Sequence, residues 1–325
     1  MTHPREAVAL ERVERQDAAF LDALARGRLH HAWLLTGPEG VGKASWAYRA
    51  ARRLLGGATV GGGLDPAPDD AVGRLVVSQS HPDLMVLERE TTAEGRLKRD
   101  IPVDAARQLP EFFARTPALA PYRVAIIDSA DDLNVNAANA LLKTLEEPPP
   151  RGVLLLVTHA SGGLLATIRS RCRRLGFPPW PDAEVARFVH ARTGVAQEIA
   201  HQAAALSAGA PGRALAALCD GGLEFDAAAA DLVNGLPALD PGALSALADR
   251  FRGGEGLGRF LNYFERLGGH VQRRAEAAPP AQAALWSEAW VECERLAREA
   301  AALNLDRTDV LWTTAARLRR LAAAS

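Results

Sequence analysis

The feature that most restricts this chain is GPEGVGKA, Gly37 to Ala44, set directly between a short apolar run, AWLLT at 32–36, and a helix-period segment, SWAYRAARRLL. Glycines at this spacing let backbone amides curl around a phosphate at the start of a helix, and the following lysine adds a point charge for the outer phosphates. Lys43 stands out further because only three of the 38 basic residues are lysines, Lys43, Lys98 and Lys143. Gly37, Gly40, Gly42, Lys43 and Ala44 are therefore the candidate nucleotide loop.

Further apolar runs, DLMVLE at 83–88, RVAIID at 123–128 and GVLLLVT at 152–158, alternate with helix-period segments, and a short strand near Arg173 to Phe177 closes the set. This alternation predicts an α/β fold with a parallel sheet. VAIID and VLLLV do not alternate apolar with polar residues, as expected of strands covered by helices on both faces. GGATVGGGLDPAPDDA carries no periodicity and reads as a flexible insertion or long loop, poor ground for a core. The prolines of GFPPWPD at 176–182 end the sheet region, and Ala, Leu and Arg at helical spacing follow. The expected division is 1–178 for the P-loop domain, 179–224 for a small helical domain and 225–325 for an all-α domain.

Composition narrows the function classes. With 325 residues, 48% hydrophobic and 24% charged, the chain has the makings of a multidomain globular protein. A net charge of -1 gives no general attraction to nucleic acid, so any such contact needs a local patch. Cys172, Cys219 and Cys293 are too scattered for a disulfide framework or a zinc site, which suggests a reducing compartment. No apolar run approaches a membrane span and the amino terminus lacks a leader pattern, so a cytoplasmic location is expected.

Two departures bear on chemistry. Ala44 stands where a P-loop carries the Ser or Thr hydroxyl that ligates Mg²⁺, and Ser45, about 100° further round the helix, cannot replace it. Asp128 ends a buried strand, either as a Mg²⁺ ligand or simply as the start of a turn; Ser129 follows it where an active AAA+ ATPase has the glutamate that activates water. No metal site is expected.

VAIIDSADDLNVNAANALLKTLEEPP, followed by VLLLVTHASGGLLATIRSRCRRLGFPP, resembles the AAA+ core of bacterial clamp-loader subunits over residues from about 25 to 220. The resemblance implies a P-loop AAA+ domain, a helical lid over 179–224 and a carboxyl-terminal collar that holds subunits in a ring. It implies that Ser170, Arg171 and Cys172 form the SRC element, with Arg171 an arginine finger acting in trans on a neighbour's γ-phosphate. Thr158 matches a polar sensor position or else caps the next segment. Arg213 in SAGAPGRALAAL resembles the second sensor arginine of the lid. Lys143 is either a DNA-phosphate contact or a solvated surface lysine.

With Ala44 and Ser129 as they stand, the resemblance implies a ring member that does not hydrolyse ATP, holds ATP or ADP at most passively, and helps load a sliding clamp on primed DNA during replication. The alternative is an active motor ATPase of the gamma/tau type. The implied partners are the gamma/tau and delta clamp-loader subunits, with the clamp and primer-template DNA reached through the complex and no membrane. The four zinc-binding cysteines common in the family after the P-loop helix are missing from ARRLLGGATVGGGLDPAPDD, so no zinc is expected.

Overall fold

The computed structural model describes residues 3–323 apart from 8, 69, 91–97, 99 and 161. It divides into two compact units, residues 1–214 and 215–325.

The first unit is built on a parallel five-stranded sheet in the order β2-β3-β4-β1-β5. The strands are β1 (Ala32–Thr36), β2 (Leu84–Glu88), β3 (Arg123–Asp128), β4 (Gly152–Thr158) and β5 (Arg173–Gly176). The apolar runs of the sequence thus become strands. Their continuous hydrophobicity has the expected cause: both faces are covered. Ala32 and Leu34 join a core with Ile127, Leu141, Leu156 and Ile168 on one face. Trp33, pointing the other way in the same strand, meets Phe20, whose ring also packs against Trp46.

Helices α1 (Glu14–Ala25), α2 (Lys43–Leu54), α3 (Ala71–Val77), α4 (Val103–Arg107), α5 (Leu109–Ala114), α6 (Val135–Glu146) and α7 (Ala166–Ser170) surround the sheet. Asn134 caps α6 by accepting from the Ala137 amide at 2.9 Å, and Ala137, Leu141 and Leu145 bury its inner face. Three helices follow the sheet: α8 (Asp182–Thr193), α9 (Gln197–Ala205) and α10 (Pro211–Cys219), the last running across the division between the units.

The glycine-rich segment after α2 is better anchored than its composition suggests. Leu64 is buried there, and Asp65 pairs with Arg49 of α2, itself buried and also paired with Asp17 at 3.3 Å. A second carboxylate, the buried Asp70, accepts from the Ala58 amide at 3.2 Å and the Gly73 amide at 2.8 Å; one leucine and two acids are too sparse to register as a hydrophobic period.

The second unit consists of α11 (Gly222–Gly235), α12 (Pro241–Arg250), α13 (Gly256–Ala277), α14 (Pro280–Leu303) and α15 (Arg307–Ala323). Its core gathers Phe225, Phe251, Phe260, Tyr263, Phe264 and Trp286, so it buries a hydrophobic interior of its own. No described helix in either unit is long and apolar enough to cross a membrane.

Candidate functional site

The candidate site forms at the carboxyl ends of the central strands, where open α/β sheets place their ligands. β1 lies between β4 and β5, and Thr36 at its end is in register with Thr158 at the end of β4. The loop leaving β1 turns through Gly40 (φ +78) and Gly42 (φ +102), conformations that a residue with a Cβ rarely adopts, and delivers Lys43 as the first residue of α2.

Lys43 is turned inward. Only 2% of it is exposed, and its ammonium donates to the carbonyl oxygens of Gly37 and Pro38, each at 2.6 Å. Burial pulls its pKa down to about 8, against the opposing pull of Glu39, Asp128 and Asp131. Asp128, at the end of β3, is pushed up to about 6, chiefly by burial and then by Glu88, with Lys43 acting the other way. Ala44 follows Lys43 in the first turn of α2 and presents a methyl group. The buried Ser129 hydroxyl donates to Asp132 at 3.0 Å.

Thr158 is fully buried and its hydroxyl donates to Asp131 at 2.8 Å. The same carboxylate accepts from the amides of His159 at 2.6 Å and Ala160 at 3.2 Å, which ties the turn after β3 to the end of β4. Nothing in the sequence pattern singles out Asp131; it is one of two adjacent acids after a strand, and only the fold brings it to the next strand's end. His159 is missed for the same reason. Burial, followed by the charge of Lys43, holds its imidazole below the usual range. Among the described residues no group of three or more His, Cys, Asp or Glu side chains is placed to hold a metal. With Ala44 offering no side-chain oxygen, the residues at this loop do not fit a magnesium ion.

The start of α10 rests on the loop. The Gly212 amide donates to the Gly40 carbonyl at 2.8 Å. Arg213 is drawn in with it, for a Cβ built on Gly40 would stand 3.1 Å from Arg213 Cγ. On another side Leu10 would lie 3.6 Å from a Cβ on Gly42. The fold therefore gathers Gly37, Gly40, Gly42, Lys43, Ala44, Asp128, Thr158 and Arg213 at the carboxyl ends of the central strands.

Arg171 belongs to a different locality. It caps the carboxyl end of α7, donates to the Thr167 carbonyl at 3.1 Å and pairs with Glu146 at 2.9 Å, while 36% of its side chain stays exposed. A guanidinium has five N–H donors, so two contacts leave part of the fork for another anion. Glu146, at the end of α6, is a partner that the sequence does not announce. Arg173 of the same basic cluster lies over the Trp33 ring, 4.7 Å from its centroid, and Cys172 is a packing residue whose thiol burial pushes up to about 12. Lys143 is exposed on α6.

Known proteins match this arrangement in sequence. The chain is 37% identical over 202 residues to the DNA polymerase III subunit delta' of Pseudomonas aeruginosa, covering 60% of this chain and 58% of that protein. It is 34% identical over 195 residues to the subunit of the same name in Escherichia coli, covering 58% of this chain and 55% of that one. It is 37% identical over 158 residues to the DNA polymerase III subunit tau of Salmonella typhimurium, covering 47% of this chain and 22% of that protein. The matches to the delta' subunits thus span under two thirds of those proteins' length. A solved gamma subunit-related protein of Thermotoga maritima aligns over 93% of this chain and 99% of its own, at 18% identity and a TM-score of 0.45. The model of the family described as DNA polymerase III, delta subunit, matches residues 14–181, from α1 through the sheet and past Arg171, and the chain belongs to that family.

Proposed function

We propose that the chain is a delta-prime-type clamp-loader subunit, a ring member that does not itself hydrolyse ATP and that completes a neighbouring subunit's ATP site with Arg171. The observation that carries this reading is the contrast in how two cations are held: Lys43 is spent on its own loop, whereas Arg171 keeps part of its guanidinium in solvent. Hydrolysis needs a metal ligand and a group that orients water, and Ala44 and Ser129 supply neither. An arginine offered across an interface needs only reach and charge, because it stabilises negative charge that develops on the γ-phosphate.

The helices of 215–325 serve as the collar in this reading. Leu285 and Val291 of α14 remain 47% and 58% exposed, which suits contact with the gamma/tau and delta subunits. Substitution of both by aspartate should reduce recovery of the chain with those subunits. Through the complex the chain contributes to loading a sliding clamp on primed DNA, in the cytoplasm, with ATP or ADP at most held passively and no zinc.

Steady-state ATPase of the isolated chain tests the central claim. Turnover should be negligible; a rate typical of motor ATPases, roughly 1 s⁻¹ or more, that Lys43→Ala abolished would overturn it.

A further inference from the structure

The second unit contains a cavity with no part in the proposed function. About 480 Å³ of space lies between α11, α12, the link that joins them and Tyr263 of α13. Ligand pockets have this size, with a mostly apolar wall and a few placed polar groups. Leu232 and Leu239, both half-buried, and Leu244 and Leu247, both buried in the core, supply the apolar wall. The polar side chains of the lining are three: Tyr263, Asp231 and Asp240.

Tyr263 is the informative one. It is fully buried, and its ring packs with Phe225, Phe251 and Phe264 at centroid distances of 6.3, 5.7 and 5.8 Å. A phenylalanine would serve that packing, yet the ring ends in a hydroxyl that has no hydrogen-bond partner among the described residues. Burial pushes its pKa up, so the phenol keeps its proton and stays a donor. A buried donor left unpaired is costly, and an acceptor that enters from the cavity relieves the cost. Asp231 and Asp240 are exposed and stand on the rim. Asp240 caps α12 through Oδ1, which accepts from the amides of Gly242 at 2.8 Å and Ala243 at 3.2 Å. No arginine, lysine or histidine contributes to the lining, so the charge of the rim is negative.

We infer that this cavity is a binding site for an organic amine, with an apolar body against the four leucines, an ammonium group at Asp231 and Asp240 and a hydrogen-bond acceptor toward the Tyr263 hydroxyl. An acid of the same shape meets two like charges instead and is refused. The site goes beyond the clamp-loader reading and does not depend on it, since its residues all belong to the second unit and none of them takes part in the argument from Lys43 and Arg171.

The test titrates dansylcadaverine, which joins a naphthalene body and sulfonyl acceptors to a primary amine, into the full chain and follows the blue shift of its emission. Dansyl-aminohexanoic acid carries the same body with a carboxylate in place of the amine. The amine should bind about tenfold more tightly than the acid or better, and the gap should narrow as salt rises. Asp231→Asn and Asp240→Asn, the second of which keeps a capping oxygen, should each weaken the amine about two- to fivefold without weakening the acid. Tyr263→Phe should weaken the amine about three- to tenfold. Ala228→Phe, which sends a ring into the cavity from its wall, should abolish binding. Absence of binding by the amine, equal binding of the two probes, or undiminished binding by Tyr263→Phe would each overturn the assignment. If a variant fails to fold, the comparison of amine with acid on the unaltered chain decides alone.

Discussion

The loop after β1 and the end of α7 each carry a cation suited to phosphate, yet the protein treats the two in opposite ways. Lys43 is 2% exposed and donates twice to its own backbone, whereas Arg171 is 36% exposed at its side chain and is held along part of its fork by Glu146 and the Thr167 carbonyl. The same charge can be structural or available, and burial with internal partners decides which. A loop can thus keep the curvature of a phosphate cradle with no ligand in it, because the lysine has other oxygens to satisfy.

The comparison breaks most visibly if Arg171 proves idle. On the proposed reading, Arg171→Ala in a complex reconstituted with gamma/tau and delta subunits should lower the ATP turnover of the neighbouring site by about a hundredfold or more, with assembly intact. Arg174→Ala, an exposed arginine on β5, should change the rate less than about twofold. Equal losses would mean that the basic cluster acts as a general anion patch.

A smaller effect sharpens the inward-facing side. Asp131→Ala would strand the buried Thr158 hydroxyl and the amides of His159 and Ala160, and should lower unfolding free energy by about 2–3 kcal/mol in urea titration. Lys43→Met removes the donor to two carbonyls and also the burden of a buried charge, so the net loss should be about 1–2 kcal/mol. An increase in stability would mean that the lysine is kept for a ligand rather than for the loop.

The smallest effect is on pH dependence. Asp128 gains its negative charge near pH 6 and Lys43 loses its positive charge near pH 8, and both changes make the loop less attractive to an anion. Metal-free ADP should therefore bind progressively more weakly from pH 5.5 to 9, by a few-fold in all. Binding that strengthens across pH 8 would contradict the placement of Lys43. For stability the raised Asp128 pKa has the opposite sign to the usual salt-bridged carboxylate: the folded state holds a proton that the unfolded chain has released, so this group's contribution falls as pH rises from about 4 to 6.

What sequence reasoning could reach follows the same division. The strands were legible because burial on two faces leaves an unbroken apolar run, as in VLLLV, and the loop because glycines must occur where φ is positive. Arg213 was legible only through resemblance, and its neighbourhood with Gly40 comes from a contact spanning more than half the first unit. Asp131 and Glu146 were not legible. Each is an ordinary acid in a local run of acids, and its partner, Thr158 or Arg171, lies on a later element.

The stapled glycine segment after α2 also makes the protein easy to instrument. Its fixed points, Leu64 and Asp65 on one side and Ala58, held by Asp70, on the other, flank Gly61 and Gly62, where an added Cβ would meet nothing within 4 Å. Lengthening a flexible loop is thermodynamically mild, about 0.6 kcal/mol for each doubling. An epitope or fluorophore tag inserted between these two glycines should therefore leave the fold in place and give a handle for following the protein.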